Sequence, residues 1–114
     1  MKYNILKSLF DIKDSILAIF DYLEGKRDFY IYKNNRLLKR AIEREIEIIG
    51  EATQRILKID ANFPISNARK IVDTRNWVIH GYDFVDDQII WNIIINQLPK
   101  LLQEVNNEIS KRDQ

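Results

Sequence analysis

Residues 38–56 read Leu38-Lys39-Arg40-Ala41-Ile42-Glu43-Arg44-Glu45-Ile46-Glu47-Ile48-Ile49-Gly50-Glu51-Ala52-Thr53-Gln54-Arg55-Ile56. Leu38, Ile42, Ile46, Ile49, Ala52 and Ile56 recur at three- and four-residue steps, which on a helix gathers them on one face. Arg40, Glu43, Arg44, Glu47 and Glu51 fall on the other side. The pattern predicts an amphipathic helix from about Asn34 to Leu57. Gly50 inside it costs about 1 kcal/mol relative to alanine, so its presence predicts a close helix approach at that point.

Working outward, the same period governs the flanks. Ile5, Leu6, Leu9, Phe10, Ile12, Ile16, Ile19, Phe20 and Leu23 define a first helix over about Asn4–Leu23, with Gly25 as a stop signal. Asp60 to Pro64 reads as a loop, and a third helix follows Pro64, with Ser66 or Asn67 able to cap it. That helix carries Ala68, Ile71, Val72, Val78 and Ile79, and Gly81 is expected to end it. Asp83 to Asp87 forms an acidic connector from which Asp86 or Asp87 can cap a last helical region, Gln88–Ser110. Pro99 should kink or divide that region.

Ile89-Ile90-Trp91 and Ile93-Ile94-Ile95 are apolar around most of a helix circumference and must be covered on all sides. In a small chain, part of that cover is expected from a second subunit. Three glycines and two prolines favour a few long helices over many short strands. The expected fold is an all-α bundle of four or five helices, one domain over residues 1–114, forming a homodimer.

Composition excludes several classes of function. The chain has 114 residues, with 18 Lys and Arg against 17 Asp and Glu, so bulk charge alone cannot hold it to nucleic acid. At 46% apolar residues it can bury a core. Cysteine is absent, which excludes disulfides, thiolate metal sites and cysteine nucleophiles. A single histidine excludes a two-histidine metal site within one chain, so any imidazole chemistry runs through His80. Charged residues interrupt the N-terminal stretch at Lys2, Lys7, Asp11, Lys13 and Asp14, and no apolar run approaches bilayer length. A soluble, cytoplasmic protein is the expectation. The neutral total conceals one asymmetry. Lys26 to Arg44 holds seven cations against Asp28 and Glu43, a local net of +5, readable as a solvated face or as a phosphate-facing surface.

The chemistry-bearing stretch is Asp73-Thr74-Arg75-Asn76-Trp77-Val78-Ile79-His80-Gly81-Tyr82. Asn76 and His80 are four residues apart and share a helical face, so the amide could orient the imidazole. Arg75 and His80 are five apart, which turns them about 140° from each other on an ideal helix. They converge on one substrate only if the helix end unwinds or if two copies meet across a two-fold axis. Taken alone, a histidine near a helix C-terminus is more often a capping residue or a satisfied structural group than a catalyst, and Arg75 and Tyr82 read as an ion-pair member and a partly buried ring.

Arg75, His80 and Tyr82 together resemble the R-x4-H-x-Y signature of the HepT-like toxins, a group of the HEPN superfamily also known as DUF86. The run Arg40 to Ala52 resembles that family's second helix, and Trp91 to Leu102, with its Leu98-Pro99 step, its last. The resemblance implies an up-and-down four-helix bundle that dimerises and brings two motifs into a shared cleft. It further implies a metal-independent ribonuclease toxin without a cofactor. The implied partner is a minimal nucleotidyltransferase antitoxin that silences the toxin by adding AMP to the motif tyrosine. Carried onto this chain, Arg75 and His80 are catalytic, Asn76 is the supporting polar residue, and Tyr82 is the modification site.

The residue types suit that chemistry. RNA brings its own nucleophile, the 2′-hydroxyl; imidazole can act as general acid or base near neutral pH, and a guanidinium can hold phosphate in two hydrogen bonds. The alternative reading is a non-catalytic nucleotide-binding or interaction module that dimerises and docks a nucleotidyltransferase.

Overall fold

The computed structural model describes residues 4–80 and 87–112, apart from the side chains of residues 79 and 80. Helix α1, Ile5–Leu23, begins at Asn4, whose side-chain oxygen accepts the Lys7 N–H at 2.7 Å. It ends where Glu24 and then Gly25 enter left-handed backbone, at φ 54° and 73°. The following helix, α2, spans only Phe29–Lys33 and is started by Asp28, whose carboxylate accepts the N–H groups of Tyr30 and Ile31. No periodicity in the sequence announces it, because five residues are too few to display a stripe. It forms through its cap and through Tyr32, whose side chain is fully buried against the core.

Helix α3, Arg36–Ile59, starts at Asn35, which accepts the Leu38 N–H at 3.0 Å. Ile42, Ile46, Ile49, Ala52 and Ile56 are buried along it as their spacing predicts, and each large aliphatic among them contributes roughly 1.5–3 kcal/mol of burial. The loop after α3 is pinned at both ends. Phe63 is buried with the Arg112 guanidinium 5.2 Å from its ring centre. The Ser66 hydroxyl donates to Glu104 at 2.5 Å rather than capping the next helix. Asn67, at φ 58°, leads directly into α4, Ala68–His80. The expected stop at Gly81 and the connector Asp83–Asp86 lie outside the described residues.

The last helical region is divided, though not at Pro99 itself. Helix α5, Asp87–Asn92, runs into a π-helical turn, Ile93–Gln97, and then into α6, Leu98–Arg112. In regular α geometry the proline ring would strike the carbonyl four residues back, that of Ile95. The wide turn ahead of the proline relieves that clash and lets the Leu98 N–H reach the Ile93 carbonyl.

The long helices α1, α3, α4 and α6 form the all-α bundle, with α3 packed on α1 and α4, and α1 packed on α6. Much of the apolar surplus of the α5 segment finds cover within the chain. Ile90, Ile93 and Ile94 are buried, and Trp91 is flanked by the rings of Tyr32 and Phe29 at centroid distances of 5.5 and 6.1 Å. Among the described residues, no helix is long and apolar enough to cross a membrane.

Candidate active site

Gly50 of α3 lies directly against Arg75 of α4. A methyl group built on the glycine would overlap the Arg75 Cβ and stand 2.7 Å from its Cγ and 3.3 Å from the Ile71 carbonyl oxygen. The glycine therefore lets two helix backbones approach where the arginine leaves its helix, which is the close contact its position in the sequence predicts.

Arg75 is half-buried, and its Nη1 donates to the Asn76 Oδ1 at 2.9 Å. The carboxamide oxygen of Asn76 thus turns to the arginine beside it and helps fix the guanidinium fork. The Arg75 Nε is buried and has no hydrogen-bond partner among the described residues. Neighbouring Thr74 is buried and returns its hydroxyl to the Lys70 carbonyl at 2.8 Å. Ile71 and Val72, one turn back from Arg75, are buried and anchor α4 in the core.

His80 is the last residue of α4, one helical turn beyond Asn76. The orientation of its imidazole, its convergence with Arg75 and the place of Tyr82 lie outside the described residues. A short loop joins α3 to α4, and Asp87, beyond α4, pairs with Lys39 in the first half of α3, so α4 returns along α3 and its His80 end lies toward the N-terminal half of α3.

That end of the bundle holds polar pairings that the sequence does not announce. Lys39 of α3 pairs with Asp87, the first residue of α5, at 2.9 Å, both side chains being 27% exposed. Burial pushes the Glu43 carboxyl above the usual carboxylate range, against the opposing pull of Arg40 and Lys39. Tyr32 is fully buried, and its hydroxyl lacks a hydrogen-bond partner among the described residues. Burial pushes its phenol far above the ordinary tyrosine value, with Asp87 and Glu43 acting in the same direction. On the α1 side, the Tyr22 hydroxyl donates to Glu45 at 2.8 Å. None of these pairings leaves a mark in local sequence, since the partners lie on different elements. Among the described residues, no group of three or more His, Asp or Glu side chains could hold a metal ion.

Comparison with known proteins agrees with the resemblance carried by the motif. The family described as "Ribonuclease HepT-like" matches residues 12–108, a span that includes α3, the Gly50–Arg75 contact and the whole R-x4-H-x-Y stretch. A protein named "Putative RNase MJ1380" from Methanocaldococcus jannaschii is 30% identical over 105 residues, covering 91% of this chain and 95% of that protein. A second from the same organism, "Putative RNase MJ0127", is 27% identical over 95% of this chain and 89% of its own length. From Caldanaerobacter subterraneus, "Putative RNase TTE0752" is 31% identical over 73% of this chain and 75% of its own. No solved structure matches the chain. With a family match that runs from the middle of α1 into α6, the chain belongs to the HepT-like ribonuclease family.

Proposed function

We propose that this protein is a metal-independent endoribonuclease toxin in which Arg75 and His80 carry the reaction. The observation that carries this reading is the family match across the R-x4-H-x-Y stretch, supported by the way Gly50 and Asn76 hold the arginine. The RNA 2′-hydroxyl attacks the adjacent phosphorus, a new 2′ O–P bond forms, and the bond to the 5′-oxygen breaks. The products are a 2′,3′-cyclic phosphate and a free 5′-hydroxyl. His80 takes the proton from the 2′-hydroxyl or supplies one to the departing 5′-oxygen. Arg75 binds the non-bridging oxygens and offsets the charge that grows on them in the pentacoordinate transition state. A homodimer gives the cleft two histidines, so acid and base act in the same turnover.

The proposed partner is a nucleotidyltransferase antitoxin that transfers AMP to Tyr82. Two residues from His80, the added phosphate and nucleoside occupy the position the RNA phosphate needs and repel it.

The test is incubation of purified protein with RNA in excess chelator, wild type beside His80→Ala. The expected result is cleavage to cyclic-phosphate ends by wild type only. Cleavage that survives the substitution, or that depends on added metal, overturns the assignment. Mass spectrometry of protein co-expressed with a nucleotidyltransferase should find AMP on Tyr82, and no modification there overturns the antitoxin step.

A further inference from the structure

The connector between α1 and α2, together with α2 and the start of α3, presents a surface that the reaction at Arg75 and His80 does not use. Lys26, Arg27, Lys33 and Arg36 are all exposed there. Among the described residues, Arg27, Lys33 and Arg36 form no ion pair, and Lys26 has only Glu24, at 3.7 Å. Of the two acids within this stretch, Glu24 stands beside Lys26, and Asp28 is held by the Tyr30 and Ile31 N–H groups as the cap of α2. The first turn of α3 carries no carboxylate, so its backbone dipole adds to the positive field instead of offsetting it.

Two apolar features lie within this basic surface. The Tyr30 ring is 71% exposed, and Leu37 is 80% exposed. Beside the connector is an open groove of about 350 Å³, with Phe20, Ile94, Ile95 and Pro99 on its floor and Lys26 and Arg27 at its rim. A ligand matched to this face must be anionic at repeated points and flat and apolar between them. Single-stranded nucleic acid has that chemistry, with phosphates for the cations and base faces for an exposed ring and an apolar slot. An acidic protein segment would satisfy the cations but has no equivalent need for the bare ring. The location fits as well, because Tyr22–Glu45 and Lys39–Asp87 fix this corner to the end of the bundle toward which α4 carries His80.

We propose that this corner is an RNA-binding surface: the strand's phosphates lie along Lys26, Arg27, Lys33 and Arg36, one base stacks on Tyr30, and another enters the groove. The proposal rests on the ribonuclease reading for its choice of RNA as the strand, and the experiment separates the two. The probe is a fluorescent single-stranded 2′-O-methyl RNA twelve-mer, which lacks the nucleophile and stays intact. Its binding is followed by anisotropy across a salt series.

The triple variant Arg27→Gln, Lys33→Gln, Arg36→Gln should weaken binding at least about tenfold. It should also lower the salt slope by about 2, near 0.7 for each phosphate left without its cation. Tyr30→Ala should weaken binding about 5- to 100-fold, while Tyr30→Phe, which keeps the stacking face, should bind like wild type. Unaltered circular dichroism melts establish that the variants fold. A wild type that does not bind the probe, or variants that bind it with unchanged affinity and slope, would overturn the surface. Variants that keep RNA affinity but lose an acidic protein partner would overturn it in favour of a protein interface. A dinucleoside monophosphate carries a single phosphate, so its cleavage should be equal in wild type and surface variants. If wild type binds the twelve-mer through this surface yet cleaves no RNA, the ribonuclease reading falls and the surface stands.

Discussion

Gly50 and Arg75 share one small volume between α3 and α4: there is room for the arginine's Cβ and Cγ only because the glycine has no side chain. The contact joins packing to chemistry, since the same missing methyl sets the spacing of two helices and the starting point of the guanidinium.

Gly50→Ala should therefore do two separable things. The new methyl meets the root of a side chain and a backbone carbonyl, neither of which can swing aside, so α4 must move outward. A loss of about 1–3 kcal/mol is expected from overpacking, read as a lower urea midpoint. RNA cleavage should fall further than the unfolded fraction explains, because the arginine moves with its helix. Equal activity per folded molecule would show that Arg75 does not depend on this contact.

Arg75→Lys keeps the charge and removes the planar fork. Lysine cannot span two phosphate oxygens or keep the Asn76 hydrogen bond in the same geometry, so cleavage should drop at least about tenfold. Stability should change little, because the hydrogen bond removed is local and half-exposed. Single-turnover kinetics beside a thermal melt check both parts.

The helical period made α1, α3 and the core face of α3 legible in the sequence, and a lone glycine inside a strong amphipathic run correctly marked a tight helix contact. The motif text pointed to the family and to Arg75. What local sequence could not carry is long-range pairing. Lys39 and Asp87 are 48 residues apart, and nothing near either names the other. Helix α2 escaped notice because it is shorter than the window in which a period exists, and Phe29 and Tyr32 show their role only once Trp91 stands between them. The apolar excess of residues 89–95 pointed to a second subunit for cover; within the chain, Phe29 and Tyr32 cover Trp91, and Ile90, Ile93 and Ile94 are buried. Proline signalled a break in the last helix, but the strain is released in the turn before it.

The Lys39–Asp87 pair holds the start of α5 to α3, and its energy can be measured directly. Both side chains are about a quarter exposed, so solvent screens the attraction only in part. A double-mutant cycle with Lys39→Met and Asp87→Asn should give a coupling of about 0.5–1 kcal/mol in urea unfolding, reduced in high salt. A coupling of zero at low salt would mean the ion pair contributes nothing to holding that end.

Glu43 gives a pH signature of known sign. Burial raises its pKa in the folded state, so the folded protein binds the proton more tightly than the unfolded chain. Stability from this group is then full below the unfolded value and declines as pH rises through the raised folded value. Glu43→Gln keeps the shape and cannot ionise. Its urea midpoint should gain on that of wild type as pH rises from the carboxylate range toward neutrality, and a constant difference would refute the shift.

The π turn at Ile93–Gln97 acts as a phase adjuster between two packing faces. Ile90, Ile94 and Leu98 are all buried at successive four-residue steps, a spacing that would drift about 40° per step around a regular helix. The wide turn absorbs that drift, so the Trp91 side of α5 and the core stripe of α6 keep their separate azimuths. Chain length here is consequently a structural variable in its own right. Drawing the same residues into one unbroken α-helix would rotate its two halves against each other by about 100°, the turn of one residue. Either Trp91 would swing out from between Phe29 and Tyr32, or Leu101 and Val105 would leave the bundle, although every amino acid that packs there would still be present.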